Sequence, residues 1–185
     1  MIQFFAPEKI ILDAGHHEKD SGAVHNGVTE FEVMRRFRVK LSARLSAKGH
    51  NHISDKDSET NRVFQNRIKP LLKTGDITLA FHLNSSVGGT ATGVETFISK
   101  NAGADSKAAA KELVDGLSEI MKIPNRGVKV ENLSQHSSIG ILNLRGSAVL
   151  IEFGFIQTDL KIFIEKEEQI LDLVEKIAIK YDRNK

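Results

Sequence analysis

The amino-acid sequence predicts a single α/β domain, in which a mostly parallel central sheet of about six strands carries helices on both faces. Short apolar runs indicate strands buried on both sides, and the three clearest runs are residues 10–12, 77–82 and 148–153. Amphipathic helical patterns lie between these runs and after the last one. An alternation of strands and helices is typical of a parallel sheet covered by helices on both faces.

Three weaker patterns bring the predicted number of strands to about six. They cover residues 50–53, 94–98 and 128–130. Residues 94–98 alternate between apolar and polar side chains, which is typical of a strand. We therefore expect these segments to extend the sheet formed by the three buried runs.

The helix that follows the first strand carries an unusual side chain at its start. Thr29 and Glu32 have the spacing of a capping box, which predicts a helix from about residue 30 to a stop at Gly49. Its core-facing stripe comprises Glu30, Met34, Phe37, Leu41 and Leu45. Further helices are predicted over residues 61–69, from a cap at Asp105 and Ser106 to Met121, and over residues 165–181.

The composition limits the classes of function. The 185 residues are 27% charged and 40% hydrophobic, which is ordinary for one globular domain spanning 1–185. A net charge of +2 is too small to indicate a nucleic-acid partner. The chain has no cysteine, which excludes disulfides and thiolate zinc sites. Any metal ion would therefore be held by histidines and carboxylates.

The first residues have no basic region followed by a long apolar core, so we expect no signal peptide. No apolar stretch reaches the length that a transmembrane helix requires. These patterns predict a monomer that is made in the cytoplasm and is not stably inserted into a membrane.

Two histidines end predicted buried strands, and a carboxylate begins the helix that follows the first of them. His16 follows the run 10–12, and His82 ends the run 77–82. The carboxyl ends of strands in open α/β sheets are where sites collect. Two imidazoles and the Glu30 carboxylate are a known catalytic zinc set. The alternative is that Glu30 is solvated and merely stabilises the helix N-terminus.

Glu152 lies inside the apolar run 148–153, where a charged side chain is rarely placed for stability. Apolar surroundings would raise the pKa of Glu152, which suits a general base acting on water. The alternative is a buried ion pair with Arg126 or Arg145.

The chain resembles the zinc-dependent N-acetylmuramoyl-L-alanine amidases of the amidase-three type. The matching motifs occur in the family's order over nearly the whole chain. They are Leu12-Asp13-Ala14-Gly15-His16, Gly22-Ala23 with Asn26-Gly27 and Glu30, Phe81-His82-Leu83-Asn84-Ser85, Gly93-Val94-Glu95, Asn125-Arg126-Gly127-Val128-Lys129, and Val149-Leu150-Ile151-Glu152-Phe153-Gly154-Phe155.

The resemblance implies that His16, Glu30 and His82 hold Zn²⁺ and that Glu152 is the catalytic glutamate. The implied substrate is peptidoglycan, cut between N-acetylmuramic acid and L-alanine. The whole chain would then be one catalytic amidase domain without a separate wall-binding domain. Three departures affect substrate preference: His17 where the family usually has Gly, Gln157-Thr158 in place of Ser-Asn, and a loose match over residues 53–59.

Other polar residues are candidates for supporting roles. We expect Asp13 or Asn84 to fix the imidazole tautomers as hydrogen-bond partners. His136 lies in a loop that could line the groove. Arg126 and Arg145 could meet the carboxylates of the stem peptide, or could instead pair with acidic side chains.

Three functions remain open from the sequence. The first is a peptidoglycan amidase acting as a phage or prophage endolysin, which reaches the cell wall after release from the cytoplasm. The second is a zinc peptidase that cuts within stem peptides. The third is a wall-binding module without catalysis, which the intact set of His16, Glu30, His82 and Glu152 disfavours.

Overall fold

The computed structural model describes residues 9–134 and 137–182. Its central sheet has six strands in the order β4-β1-β5-β8-β6-β7. The strands are β1 (Ile10–Asp13), β4 (His52–Ser54), β5 (Ile77–Asn84), β6 (Val94–Ile98), β7 (Asn125–Val130) and β8 (Ser147–Phe155). The α/β fold with a mostly parallel sheet is confirmed. One feature was not predicted, since β6 pairs with β8 in the antiparallel direction.

A short hairpin lies between β1 and the first helix. Its strands are β2 (Val24–His25) and β3 (Val28–Thr29), which pair in the antiparallel direction. The two turn residues, Asn26 and Gly27, both have positive φ, as the tight hairpin turn requires. The hairpin returns the chain directly to the start of the helix.

Within the described residues, five α-helices cover the sheet. They are α1 (Glu30–Ala47), α2 (Asn61–Ile68), α3 (Ala104–Met121), α4 (Leu160–Glu165) and α5 (Glu167–Tyr181). Short 3₁₀ helices span Lys69–Leu71, Glu131–Leu133 and Gly140–Asn143. The capping box of Thr29 and Glu32 at the start of α1 is confirmed. No helix in the described ranges combines the length and apolar character needed to cross a bilayer.

Two helix boundaries differ from the predictions. The N-cap of α3 is Gly103, without a side-chain cap, because the Ser106 hydroxyl accepts a hydrogen bond from the Ala148 amide in the sheet. The predicted last helix, 165–181, corresponds to α5, and it is preceded by the unpredicted short helix α4, which a non-helical backbone at Lys166 separates from α5.

The core has one layer on each face of the sheet. The larger layer packs α1, α3 and α5 against side chains such as Leu79 and Val149. The smaller layer includes Phe64 and Ile68 of α2 and the alternate strand residues Ala80 and Leu150. Because side chains alternate along a strand, His82 and Glu152 share the face of this smaller layer, at its carboxyl end. The site therefore opens on the less heavily covered face.

Candidate metal centre

The three predicted metal ligands meet at one point. His16 follows β1, His82 belongs to β5, and Glu30 is the first residue of α1. One ligand atom from each lies within 4.8 Å of the others. The two imidazole rings are 5.2 Å apart and nearly perpendicular. This arrangement presents two nitrogens and one carboxylate to a common centre.

Glu30 contacts both histidines of the centre. The residue is 3% exposed, so the alternative of a solvated carboxylate is wrong. Its oxygens lie 2.9 Å from His82 Nδ1 and 3.3 Å from His16 Nε2. They also accept hydrogen bonds from the backbone amides of Ala23, at 2.9 Å, and Leu83, at 3.0 Å. Glu30 thus orients the hairpin loop and the end of β5 around itself.

These contacts control the protonation of the metal-free centre. Burial alone would raise the pKa of Glu30, but hydrogen bonds from His16 and His82 outweigh it and hold the pKa well below its ordinary value. Burial alone would lower the pKa of His82, but the hydrogen bond to Glu30 raises it to about 9. The pKa of His16 is raised for the same reason. A metal ion would take the place of these protons.

Two glycines leave the space that the centre needs. A Cβ atom on Gly22 would lie 2.6 Å from Glu30 Oε2 and 2.6 Å from His16 Cδ2. A Cβ on Gly15 would lie 2.5 Å from His82 Nε2. Both residues also have positive φ, which L side chains rarely adopt. The glycines in the family-like motifs therefore keep the ligands close together.

The partner that orients His16 is a residue not identified from the sequence. His16 Nδ1 lies 3.0 Å from Asp20 Oδ2, which directs Nε2 toward Glu30. The prediction that Asp13 or Asn84 hydrogen-bonds to an imidazole is wrong, because among the described residues neither forms a hydrogen bond with His16 or His82. Asp13 accepts from the Gly15 amide, and Asn84 donates to Glu95. In the sequence, an aspartate four residues after His16 in a polar loop is only a weak indication of a hydrogen-bond partner for that histidine.

Glu152 lies beside the metal centre on the neighbouring strand. In the pairing of β5 and β8 it is directly opposite His82. Its Oε2 is inaccessible to solvent and has no hydrogen-bond partner in the described part of the chain. Burial raises the pKa of Glu152 to about 7, despite the opposing effect of His82.

The predicted alternative for Glu152, a structural ion pair with an arginine, is wrong. Arg126 pairs with Glu95 at 2.7 Å. Arg145 binds the Thr74 hydroxyl at the amino ends of β5 and β8, at the opposite end of the sheet. The structure therefore does not bring Arg145 to the site.

A cavity of about 790 Å³ opens over these groups. The metal centre and Glu152 line it together with Asp13, Asn84 and Arg126. Leu133, Ser138 and Ile139 also line the cavity. His136, the loop histidine predicted to line the groove, lies outside the described residues. The cavity is large enough for a ligand of several chemical groups.

Comparison with known proteins identifies the family. A family model described as N-acetylmuramoyl-L-alanine amidase, of the amidase-three type, matches residues 10–178. This chain belongs to that family. The match covers every element from β1 to most of α5, and it includes all four residues of the predicted site.

Two proteins with similar sequences are consistent with this assignment. N-acetylmuramoyl-L-alanine amidase LytC of Bacillus subtilis is 30% identical over 124 residues, which cover 66% of this chain and 25% of LytC. The endolysin of Bacillus phage SPP1 is 27% identical over 172 residues, covering 89% of this chain and 61% of the endolysin. The chain thus spans only a quarter of the first relative and about three fifths of the second.

The fold is shared with solved amidase structures. The catalytic domain of CwlV, an N-acetylmuramoyl-L-alanine amidase from Bacillus (Paenibacillus) polymyxa var. colistinus, superposes with a TM-score of 0.79 at 20% identity. The superposition covers 96% of this chain and 99% of that domain. The CwlD amidase from Clostridioides difficile has a TM-score of 0.75 at 24% identity, covering 94% and 98%.

Proposed function

We propose that this amidase-family chain hydrolyses the amide bond between N-acetylmuramic acid and L-alanine in peptidoglycan, and that it does so with zinc. The observation that carries the proposal is the position of Glu152. Glu152 is half-buried, and its Oε2, which is inaccessible to solvent and has no hydrogen-bond partner among the described residues, lies on the strand position opposite His82, beside three convergent candidate ligand side chains. A purely structural carboxylate would be expected to have its own partner.

The three side chains suit zinc in number and type. Catalytic zinc sites use three protein ligands drawn from histidine and carboxylate and leave one position for water or substrate. Gly22 leaves open the space between His16 and Glu30 that a side chain would fill. When bound by His16, Glu30 and His82, zinc would acidify water and polarise the substrate carbonyl.

Glu152 would transfer the proton from the attacking water to the leaving group in this reaction. With its pKa raised to about 7 by burial, its carboxylate can take a proton from the attacking water near neutral pH. The protonated form can then donate that proton to the nitrogen of the departing L-alanine. Asp20 would hold His16 in the tautomer that presents Nε2 to the centre.

We further propose that the biological role is that of a phage or prophage endolysin, acting on the cell wall after release from the cytoplasm. Support comes from the similarity to the SPP1 phage endolysin, which extends over 89% of this chain. In this role, residues 10–178 would form the catalytic domain.

Digestion of purified peptidoglycan tests the reaction. New L-alanine amino termini on intact stem peptides are the expected products. Other new termini would identify a peptidase that cuts within the stem. Sedimentation with walls, without any new terminus or loss of turbidity, would identify a binding module instead.

Metal analysis tests the cofactor separately. Protein treated with a chelator should be inactive, and zinc should restore the formation of L-alanine termini. Full activity in a preparation shown to contain no metal would refute the zinc proposal but leave the scissile bond established.

A further inference from the structure

A second polar cluster surrounds Glu95 on the wall of the same cavity. Glu95 is 3% exposed and lies in β6. Its Oε2 accepts hydrogen bonds from Arg126 Nε, at 2.7 Å, and from Lys129 Nζ. Its Oε1 accepts from the Asn84 side-chain amide at 2.9 Å. Two cations are therefore held by one buried carboxylate, which leaves the cluster with a net positive charge.

The cations keep hydrogen-bonding capacity that faces the cavity. The side chains of Arg126 and Lys129 are 37% and 28% exposed. Arg126 Nη1 is 3.5 Å from the Thr92 carbonyl oxygen, and Nη2 has no hydrogen-bond partner among residues 9–134 and 137–182. A guanidinium with free N–H groups is suited to bind a carboxylate in a planar, two-point contact.

Aromatic rings hold both cations in place. The Arg126 guanidinium lies 5.1 Å from the centre of the Phe155 ring, and Lys129 Nζ lies 5.8 Å from the centre of the Phe97 ring. Such contacts favour a fixed position for a cation. All four side chains line the cavity. The positive charge is therefore part of a preformed wall.

The position of the cluster relative to Glu152 suggests which part of the substrate it meets. Glu95 is directly opposite Glu152 in the pairing of β6 and β8, while His82 is opposite Glu152 on its other side. Neighbouring strands are about 4.8 Å apart. Glu152 thus lies between the metal centre and the cationic cluster. In the proposed reaction Glu152 protonates the leaving nitrogen, and a peptide that extends from this nitrogen away from the metal centre would reach the cationic cluster beside β6.

We propose that Arg126 and Lys129 bind the first free carboxylate of the stem peptide beyond L-alanine, and that Glu95 and Asn84 position these cations. This inference rests on the proposed amidase function. In peptidoglycan the residue after L-alanine carries an α-carboxylate that is either free or amidated. The cluster therefore makes the chain selective for stems in which this carboxylate is free.

A pair of synthetic substrates tests the subsite. N-acetylmuramoyl-L-alanyl-D-glutamic acid γ-methylamide has the free α-carboxylate, and N-acetylmuramoyl-L-alanyl-D-isoglutamine γ-methylamide is its neutral α-amide; the γ-carboxyl is blocked in both. We expect the zinc-loaded wild-type protein to cleave the free acid with a kcat/KM about tenfold to a hundredfold higher, as for a charge-assisted hydrogen bond. Arg126→Gln should remove most of this preference by slowing cleavage of the acid far more than of the amide.

Arg145→Gln is the matched control, because it removes the same charge at the opposite end of the sheet. It should retain the wild-type preference. If Arg126→Gln does not fold, as judged by its thermal transition, Lys129→Met provides the second variant and should also weaken the preference. Equal losses on both substrates, or an unchanged preference in a folded Arg126→Gln protein, would overturn the subsite.

Direct binding provides a readout that does not depend on turnover. Calorimetric titration of zinc-loaded Glu152→Gln protein with L-alanyl-D-glutamic acid γ-methylamide should give tighter binding than with L-alanyl-D-isoglutamine γ-methylamide, and Arg126→Gln in the same background should abolish the difference. Cleavage of the amide bond in both substrates without a carboxylate preference would refute the subsite alone. Failure to cleave either substrate at that bond would refute the proposed function and the subsite with it.

Discussion

Glu95 and Glu152 lie directly opposite each other in the pairing of β6 and β8, but only one of them is neutralised by cations. Glu95 accepts hydrogen bonds from Arg126 and Lys129, whereas Glu152 Oε2 has no hydrogen-bond partner in the described ranges. Two like charges on adjacent strands disfavour each other, and the presence of Glu95 further raises the pKa of Glu152, an effect smaller than that of burial. The contrast is consistent with the two proposed roles, a positioning carboxylate at Glu95 and a general base at Glu152.

Replacement of Glu152 by glutamine should abolish turnover without loss of the metal. Glutamine has nearly the same shape but cannot accept the proton, so we expect kcat to fall by about 10²- to 10⁴-fold. The zinc content measured on purified protein should stay at the wild-type level, because the proposed ligands are other residues. Glu112→Gln is a suitable control, since Glu112 pairs with Lys180 on the surface away from the cavity. Normal turnover in Glu152→Gln would exclude the general-base role.

The same substitution should stabilise the metal-free protein above neutral pH. The pKa of Glu152 is about 7 in the folded protein against an ordinary value of 4.5, so the folded state binds this proton more tightly than the unfolded state. Stability contributed by this group is therefore full below about pH 4.5 and is lost as the pH rises toward about 7. We expect Glu152→Gln to unfold with a free energy about 1–3 kcal/mol higher at pH 8 and nearly unchanged at pH 4.5.

Glu131→Gln should have the opposite effect on stability at pH 8. Glu131 is 1% exposed, and its carboxylate accepts hydrogen bonds from donors that include the Ile139 amide and Asn143 Nδ2. Burial opposes ionisation, but these hydrogen bonds keep the pKa of Glu131 below its ordinary value. This variant should therefore be destabilised at pH 8, by about 1–3 kcal/mol. Denaturant unfolding at pH 4.5 and pH 8 measures both effects, and a destabilised Glu152→Gln protein at pH 8 would contradict the assignment of a costly carboxylate.

The residues of the site differ in how far the sequence could reveal them. Glu152 was identifiable because a charge within an apolar strand is conspicuous, and Glu30 because it begins the buried stripe of α1. Asp20 was not, because an aspartate in a polar loop is common and its contact depends on how that loop folds around His16. Arg145 and Arg126 were equivalent candidates in the sequence, and only the strand order separates them.

The fold, like the site, could be predicted only in part from the sequence. Buried runs and amphipathic stripes predicted the existence of most elements, but an apolar pattern does not encode strand direction, so the antiparallel pairing of β6 and β8 was not predicted. The short helix α4 was not predicted, and the break at Lys166 that separates it from α5 has no proline or glycine to mark it. Serine is a common helix-capping residue, but the Ser106 hydroxyl instead accepts a tertiary hydrogen bond from the Ala148 amide.

Zinc binding should release protons at neutral pH. In the metal-free protein the pKa of His82 is about 9, because the hydrogen bond to Glu30 outweighs the effect of burial, and the pKa of His16 is also raised. His82 is therefore protonated at pH 7 and must lose its proton to become a ligand. We expect release of at least about one proton per zinc at pH 7, and weaker binding as the pH falls. Calorimetry in buffers with different ionisation enthalpies measures this number, and zero release would show that the imidazoles are already neutral.

Gly22→Ala should weaken zinc binding, whereas Gly27→Ala should not. Both glycines have positive φ, +61° and +79°, so alanine at either position costs about 1–2 kcal/mol of backbone strain. Only at Gly22 would the added Cβ lie 2.6 Å from Glu30 Oε2 and from His16 Cδ2, while Gly27 has no atom within 4 Å of that position. The strain is thus matched, and the difference between the variants reports the crowding of the ligands. We expect Gly22→Ala to lose at least about tenfold in zinc affinity relative to Gly27→Ala, which corresponds to displacement of ligands from their working geometry. Equal zinc affinities in competition titrations with a chelator would show that the hairpin loop can move without disturbing His16 and Glu30, and that the close approach at Gly22 does not shape the centre.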